Sequence, residues 1–178
     1  MARRPTGRRH QPWAVDIYKV LKDMGVRQMA YVPDGGHARL IDLCLKDKGI
    51  RSVLLTTEEE GIAQLAGAWL GGARGVLLTQ SGGVGNCINM LSIIRECRIP
   101  LLALVSMRGQ WGEQYPWHVP MGQGTQAALE SMGVIVHHVD EAGRVGETVF
   151  AAARLAYDAH RAVAVILSQR LTGTGERG

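Results

Sequence analysis

This sequence predicts a three-layer α/β/α fold built on a six-stranded, largely parallel sheet. Three observations lead there. Extended and helical patterns alternate from Ala14 onward, the order that builds parallel sheets through crossover helices. The run Pro100–Ser106 is apolar almost throughout, which suits a strand covered on both faces. Finally, 178 residues at 46% hydrophobic content match one domain with one sizeable core.

The elements follow in order. Val15, Tyr18, Val20 and Leu21 give residues 14–24 a helical pattern that stops at Gly25, a glycine C-cap signal. Residues 28–32 read as a short strand, broken by Pro33-Asp34-Gly35-Gly36. Leu40, Ile41, Leu43, Cys44 and Leu45 mark a second helix ending near Gly49. A strand over 51–55, a helix over 58–70, a strand over 75–79, a helix over 83–96 and the strand 100–106 come next. Between Met107 and Gly124 the regularity stops, in a loop holding Arg108, Trp111, Glu113, Tyr115, Trp117, His118 and two prolines. Such long loops are more often functional or mobile than idle. A helix over 125–132, a strand over 134–139, a helix over 142–159 and a strand over 162–168 complete the series. The domain is therefore placed at 14–170, between a basic tail over 1–13 and a short tail over 171–178.

Charge excludes more than it suggests. The formal net charge is +4, and Arg3, Arg4, Arg8 and Arg9 alone match that excess. The folded part is close to neutral, so a solvated tail is expected and no nucleic-acid partner. No apolar stretch follows those arginines, and nothing is long enough to span a bilayer; a cytoplasmic protein is expected. Cys44, Cys87 and Cys97 are odd in number and lie outside any CxxC pair. Buried, reduced thiols are expected, with no metal site and no disulfide framework.

Two stretches fall where strands give way to helices, the edge at which open parallel sheets bind ligands. Thr56-Thr57-Glu58-Glu59-Glu60 puts three carboxylates there. Thr57 with Glu60, or Thr56 with Glu59, has capping-box spacing, and all three acids suit the positive end of a helix. A functional glutamate would instead face the sheet edge, sheltered from water. Gln80-Ser81-Gly82-Gly83-Val84-Gly85-Asn86 follows one βα unit later. It lacks the lysine of a P-loop and the third glycine of a dinucleotide fingerprint. What remains is a turn allowing close approach to the backbone, by a ligand or by a neighbouring strand and helix. Asp34 lies in a turn with His37 just after it, His137 and His138 lie on a strand, and His118 lies in the irregular loop.

Together these pieces resemble the pyrimidine-binding (PYR) domain of thiamine-diphosphate-dependent 2-oxo acid decarboxylases. The residues carrying the resemblance are Val32-Pro33-Asp34, Thr57 to Ala66, Gln80 to Asn89, Ile99 to Leu102, Ser106 to Gly109, and Pro116 to Gly122 with Thr125. Within that family the chain is most similar to sulfopyruvate decarboxylase alpha subunits, with phosphonopyruvate decarboxylases as near kin. Aligning Leu65-Ala66 with the family's helix implies that Glu59 is the acid that meets the cofactor's pyrimidine ring. Such an acid shares a proton with a ring nitrogen while the cofactor carries the hard chemistry. The resemblance further implies cofactor contacts at Pro33, Asp34, Gln80, Ser81, Gly82 and Asn86. Arg108 and His118 become candidates for the substrate's anionic groups, His118 also for catalysis.

Family enzymes hold the diphosphate and Mg²⁺ through a second, PP domain with a Gly-Asp-Gly motif, which is absent here. The resemblance therefore implies a separate beta subunit and a hetero-oligomer with at least two of each chain. Its expected substrate is a small anionic 2-oxo acid, sulfopyruvate before phosphonopyruvate. A non-catalytic regulatory or binding subunit with the same fold is the alternative of another class. The Gly35-Gly36 doublet and the Trp111 and Trp117 region depart from the sulfopyruvate pattern.

Overall fold

A computed structural model describes residues 11–173; the outer parts of both predicted tails lie outside the described residues. The chain runs α1 (Pro12–Asp23), β1 (Val26–Tyr31), α2 (Ala38–Lys46), β2 (Arg51–Leu54), α3 (Glu58–Leu70), β3 (Arg74–Gln80), α4 (Ser81–Cys87) and α5 (Leu91–Glu96). It continues with β4 (Leu101–Ser106), α6 (Val119–Ser131), β5 (Ile135–Val139), α7 (Val145–Tyr157), β6 (Ala162–Leu167) and α8 (Gln169–Thr172). All six strands are parallel, in the order β2-β1-β3-β4-β6-β5. The predicted fold class is the observed one.

Alternation along β4 shows why its sequence is apolar throughout. Leu102 and Leu104 enter one core, with Ile17 and Leu21 of α1, Leu40 of α2 and Val149 of α7. Ala103 and Val105 enter the other, with Ile62 and Leu65 of α3, Leu91 of α5 and Leu129 of α6. Successive side chains on a strand point to opposite faces, so a strand covered on both has no polar position to spare. All six residues of β4 are buried.

Boundaries shift for identifiable reasons. Gln11 and Trp13 are 4% and 3% exposed, so the fold begins before residue 14. The predicted helix over 83–96 is two helices, separated at 88–90, where Ser92 and Ile93 bond back three residues to Asn89 and Met90. The loop ends earlier than predicted. Pro116 opens a short 3₁₀ turn, and Pro120 sits in the first turn of α6, where its missing N–H removes no helical bond. Cys44 and Cys87 are buried, and burial pushes both thiols up to about 12. Cys97 is exposed at the end of α5, contrary to expectation. His137 and His138 lie on the edge strand β5.

The strand order decides where the chemistry can sit. The chain leaves β1 toward β2 on one side and returns to β3 on the other, which opens a crevice at the carboxyl ends of β1 and β3. Leu104, flanked by Leu78 and Val165 and fully buried, anchors the layer beneath it. Leu104→Ala is expected to cost about 2–5 kcal/mol, measured as a lowered midpoint in urea unfolding.

Candidate active site

The three glutamates at the start of α3 have three different surroundings. Glu60 turns back, its Oε2 accepting the Thr56 N–H at 2.9 Å, while the Thr57 side chain makes no cap bond. Half of the capping box is therefore present, moved by one residue. Glu58 is buried, and its Oε2 accepts from Asn86 Nδ2 at 2.8 Å. Gly83 lies directly against that carboxylate and against Thr79, so a side chain at 83 would collide with both. Glu59 differs from both neighbours: its Oε2 is shut off from solvent and has no hydrogen-bond partner. Buried carboxylate oxygens are ordinarily satisfied, so an orphan of this kind marks a place where a donor is missing. Cys87 senses the pair, its thiol being raised first by burial and then by the charges of Glu58 and Glu59.

Between β1 and α2 the chain folds over Asp34. Its carboxylate accepts from Ser106 Oγ at the end of β4 and from Gln80 Nε2 at the end of β3, the latter at 3.3 Å. His37 Nδ1 stands 3.2 Å away, and the imidazole is fully buried with neither ring nitrogen aligned to a partner. Burial alone would raise the Asp34 pKa. His37, the Ser106 hydroxyl and the Gly36 N–H outweigh it and hold the carboxyl well below its ordinary range. Gly36 is required by this packing, because a Cβ there would lie 2.6 Å from Ser106 Cβ and 2.9 Å from Asp34 Oδ2. Three strand ends thus meet at one ionised carboxylate.

The loop after β4 is held by a residue that the sequence reading did not single out. Glu113 Oε2 accepts from Arg108 Nε (2.7 Å), the Gly109 N–H (3.0 Å) and Gln169 Nε2 (3.0 Å). Its Oε1 accepts from Arg108 Nη2 (2.5 Å) and from the N–H groups of Gln114 and Tyr115 (3.0 Å each). Arg108 first, then these amides and Gln169, depress the Glu113 pKa strongly. Gln169 Oε1 takes the N–H groups of Gln110 and Trp111, which ties the loop to the end of β6. Gly109 (φ +72°) and Gly122 let the two ends of the loop touch backbone to backbone. Only an acid preceded by two glycines and followed by aromatic residues hinted at this clasp in the sequence.

The predicted site residues therefore divide. Asp34 and Gln80 come together at the crevice, beside exposed Pro33. Glu59 lies in the first turn of α3, the helix that packs on β1 and β3. Ser81 is fully buried, its hydroxyl donating to Arg108 O and accepting the Arg108 N–H, and so staples β3 to the loop. The Asn86 amide is committed to Glu58. The Arg108 fork, expected to face an anion, is engaged by Glu113 because the loop doubles back on it. His118 lies partly exposed in an aromatic group with Tyr115 and Trp117, at ring-centroid distances of 6.3 and 5.9 Å. The glycine run expected as a turn is already helix from Ser81, and Gly83 and Gly85 serve packing against Glu58 and Met121. Among the described residues, no group of three His, Cys, Asp or Glu side chains is placed to hold a metal, and no helix is long and apolar enough to cross a membrane.

A parallel α/β/α domain with a sheltered, unsatisfied carboxylate at the carboxyl edge of its sheet has the form of a small-molecule-binding domain. Residues 13–141 match the family described as thiamine pyrophosphate enzyme, N-terminal TPP binding domain, and the chain belongs to that family. It is 37% identical over 119 residues to sulfopyruvate decarboxylase subunit alpha of Methanococcus maripaludis, covering 66% of this chain and 71% of that one. The corresponding subunit of Methanothermobacter thermautotrophicus is 30% identical over 152 residues, 85% of this chain and 92% of that one. Phosphonopyruvate decarboxylase of Streptomyces viridochromogenes is 35% identical over 150 residues, 83% of this chain and only 38% of its own length. In fold, a 2-oxoglutarate:ferredoxin oxidoreductase from Magnetococcus marinus superposes with a TM-score of 0.70 at 19% identity, over 90% of this chain and 29% of that one.

The two depressed carboxyls make the domain acid-sensitive. Asp34 and Glu113 have folded-state values below their unfolded ones, so their contribution is present above about pH 4 and is lost as pH falls further. Glu113→Gln is expected to cost about 1–3 kcal/mol at neutral pH, and to flatten the fall in Tm below pH 4, both read by calorimetry across a pH series.

Proposed function

We propose that this chain is the pyrimidine-binding (alpha) subunit of a split thiamine-diphosphate-dependent decarboxylase. Its substrate in this reading is sulfopyruvate, converted to sulfoacetaldehyde and carbon dioxide. The observation that carries the reading is the orphaned Glu59 Oε2. A carboxyl group sheltered from water and lacking a donor fits an aminopyrimidine nitrogen, so the residues present suit the cofactor's ring. When bound, thiamine diphosphate supplies the electron sink for loss of carbon dioxide. What this chain would supply is the Glu59 carboxyl group, able to share a proton with a ring nitrogen in a place where water does not compete for it.

Asp34 and Gln80, hydrogen-bonded to each other at the crevice, would form one wall of the cofactor site, with Asp34 as a fixed negative charge. Pro33 and Gly82 would border the same crevice, whereas Ser81 and Asn86 would support it through Arg108 and Glu58. His118 is the better placed of the two residues proposed for the substrate's anion, because the Arg108 guanidinium already has a carboxylate. A beta subunit carrying the PP domain would hold the diphosphate and Mg²⁺. The names of relatives as subunit alpha support that division of labour. So do the rim residues Trp111, Trp117 and Val119, which expose 55%, 69% and 40% of their surface and suit burial by a partner. At least two copies of each chain would then make the assembly.

Phosphonopyruvate is the second substrate to assay, because a relative of that name matches 83% of the chain. In the complex reassembled with a beta subunit, Glu59→Gln is expected to lower the decarboxylation rate by about two to four powers of ten. The isolated chain is expected to turn over neither 2-oxo acid with thiamine diphosphate and Mg²⁺. Unchanged turnover by the Glu59 variant would leave the chain a scaffold of the same fold, and robust turnover by the chain alone would refute the split site.

A further inference from the structure

The opposite edge of the sheet carries a second concavity. At the amino ends of β4, β5 and β6, the turns that follow α5, α6 and α7 enclose a groove of about 460 Å³. Arg95, Arg98, His160 and Arg161 line it, and Ile99 and Met132 add apolar surface. All three arginines are exposed, and none forms an ion pair among the described residues. Asp158, the carboxylate on the groove, is drawn away by Arg74 and Arg154, each at 3.5 Å.

The backbone offers an independent sign. Among the described residues, the non-glycine positions with positive φ are Arg98 and His160, both at 53°, and both line this groove. On the third turn the left-handed position is taken by Gly133 (φ +80°). A side chain in that conformation carries a steric cost that glycine avoids. At two of the three turns the chain therefore bears the cost and presents a basic side chain. Such retained strain gathers at functional sites. Trp69 packs edge-on against the His160 ring at 5.3 Å, which holds it in place. The macrodipole of α5 accounts for Arg95, in its last turn. Arg98 and His160 take the left-handed positions that close α5 and α7, as Gly133 closes α6, with the Ile99, Arg161 and Val134 N–H groups bonding back to Ile94, Ala156 and Leu129. This closure needs the backbone conformation but not a basic side chain.

We propose that this groove binds a small polyanion, a metabolite bearing two or more phosphate groups beside an apolar portion. A cleft in which unpaired basic side chains predominate, its one carboxylate engaged by Arg74 and Arg154, concentrates anions, and guanidinium forks match phosphate oxygens in pairs. The site lies across the sheet from the carboxyl edge and stands independently of the decarboxylase reading.

Titration calorimetry of the full chain with tripolyphosphate tests it. A single site per chain is expected, weakening as salt rises. The double variant Arg98→Ala with Arg161→Ala should bind about tenfold more weakly or worse, the worth of losing charge-assisted bonds. Arg98→Gly separates charge from backbone: binding should weaken while the Tm holds or rises, because glycine relieves the left-handed position. No binding, or binding that the double variant leaves unchanged, would overturn the proposal. Tighter binding of polyglutamate than of tripolyphosphate would also overturn it, in favour of an acidic protein partner.

Discussion

A parallel sheet with both faces covered leaves its chemistry one place to go. Inside the layers the inner strands spend their backbone donors and acceptors on the ladders to either side, and every side chain of β4 is buried. Polar side chains can therefore converge only where the strands end. Because all six run the same way, the ends of β1, β3, β4 and β6 share one edge, and residues far apart in sequence meet there. Asp34, Gln80 and Ser106 come from three different strand ends, yet one carboxylate joins them.

That edge contains carboxylates in two conditions. Asp34, Glu58 and Glu113 are sheltered and supplied with donors, and each holds chain segments in place. Glu59 is sheltered without a donor. Satisfied groups stabilise a fold, whereas an unsatisfied one costs free energy unless something arrives to complete it. The contrast between adjacent residues Glu58 and Glu59 is the physical basis for reading one as support and the other as reactive.

The Arg108–Glu113 pair has a consequence for recognition. A guanidinium that donates two parallel hydrogen bonds to a buried carboxylate has little left for a second anion in the same plane. Arginine after an apolar strand looked like an anion receptor in the sequence, and its partner five residues on could not be assigned without the fold of the loop. The loop is thereby a preformed wall, with Trp111, Trp117 and His118 displayed on it.

Sequence alone determined the sheet, its strand count, its parallel sense and the family pattern, because these rest on local periodicity and on motifs in fixed order. It also marked the start of α3 as an edge position holding acids. It could not say which of Glu58, Glu59 and Glu60 would be capped, bridged or left alone, since capping-box spacing fits two of them equally. That choice was made by Asn86, Gly83 and Thr56, reached through packing of α4 on α3 and the backbone at the end of β2. The clasp at Glu113, the knot at Asp34 and the basic groove at the far edge were likewise tertiary. Each depends on chain segments brought together across strands, and a hydrogen bond between such segments leaves no periodic trace in the sequence.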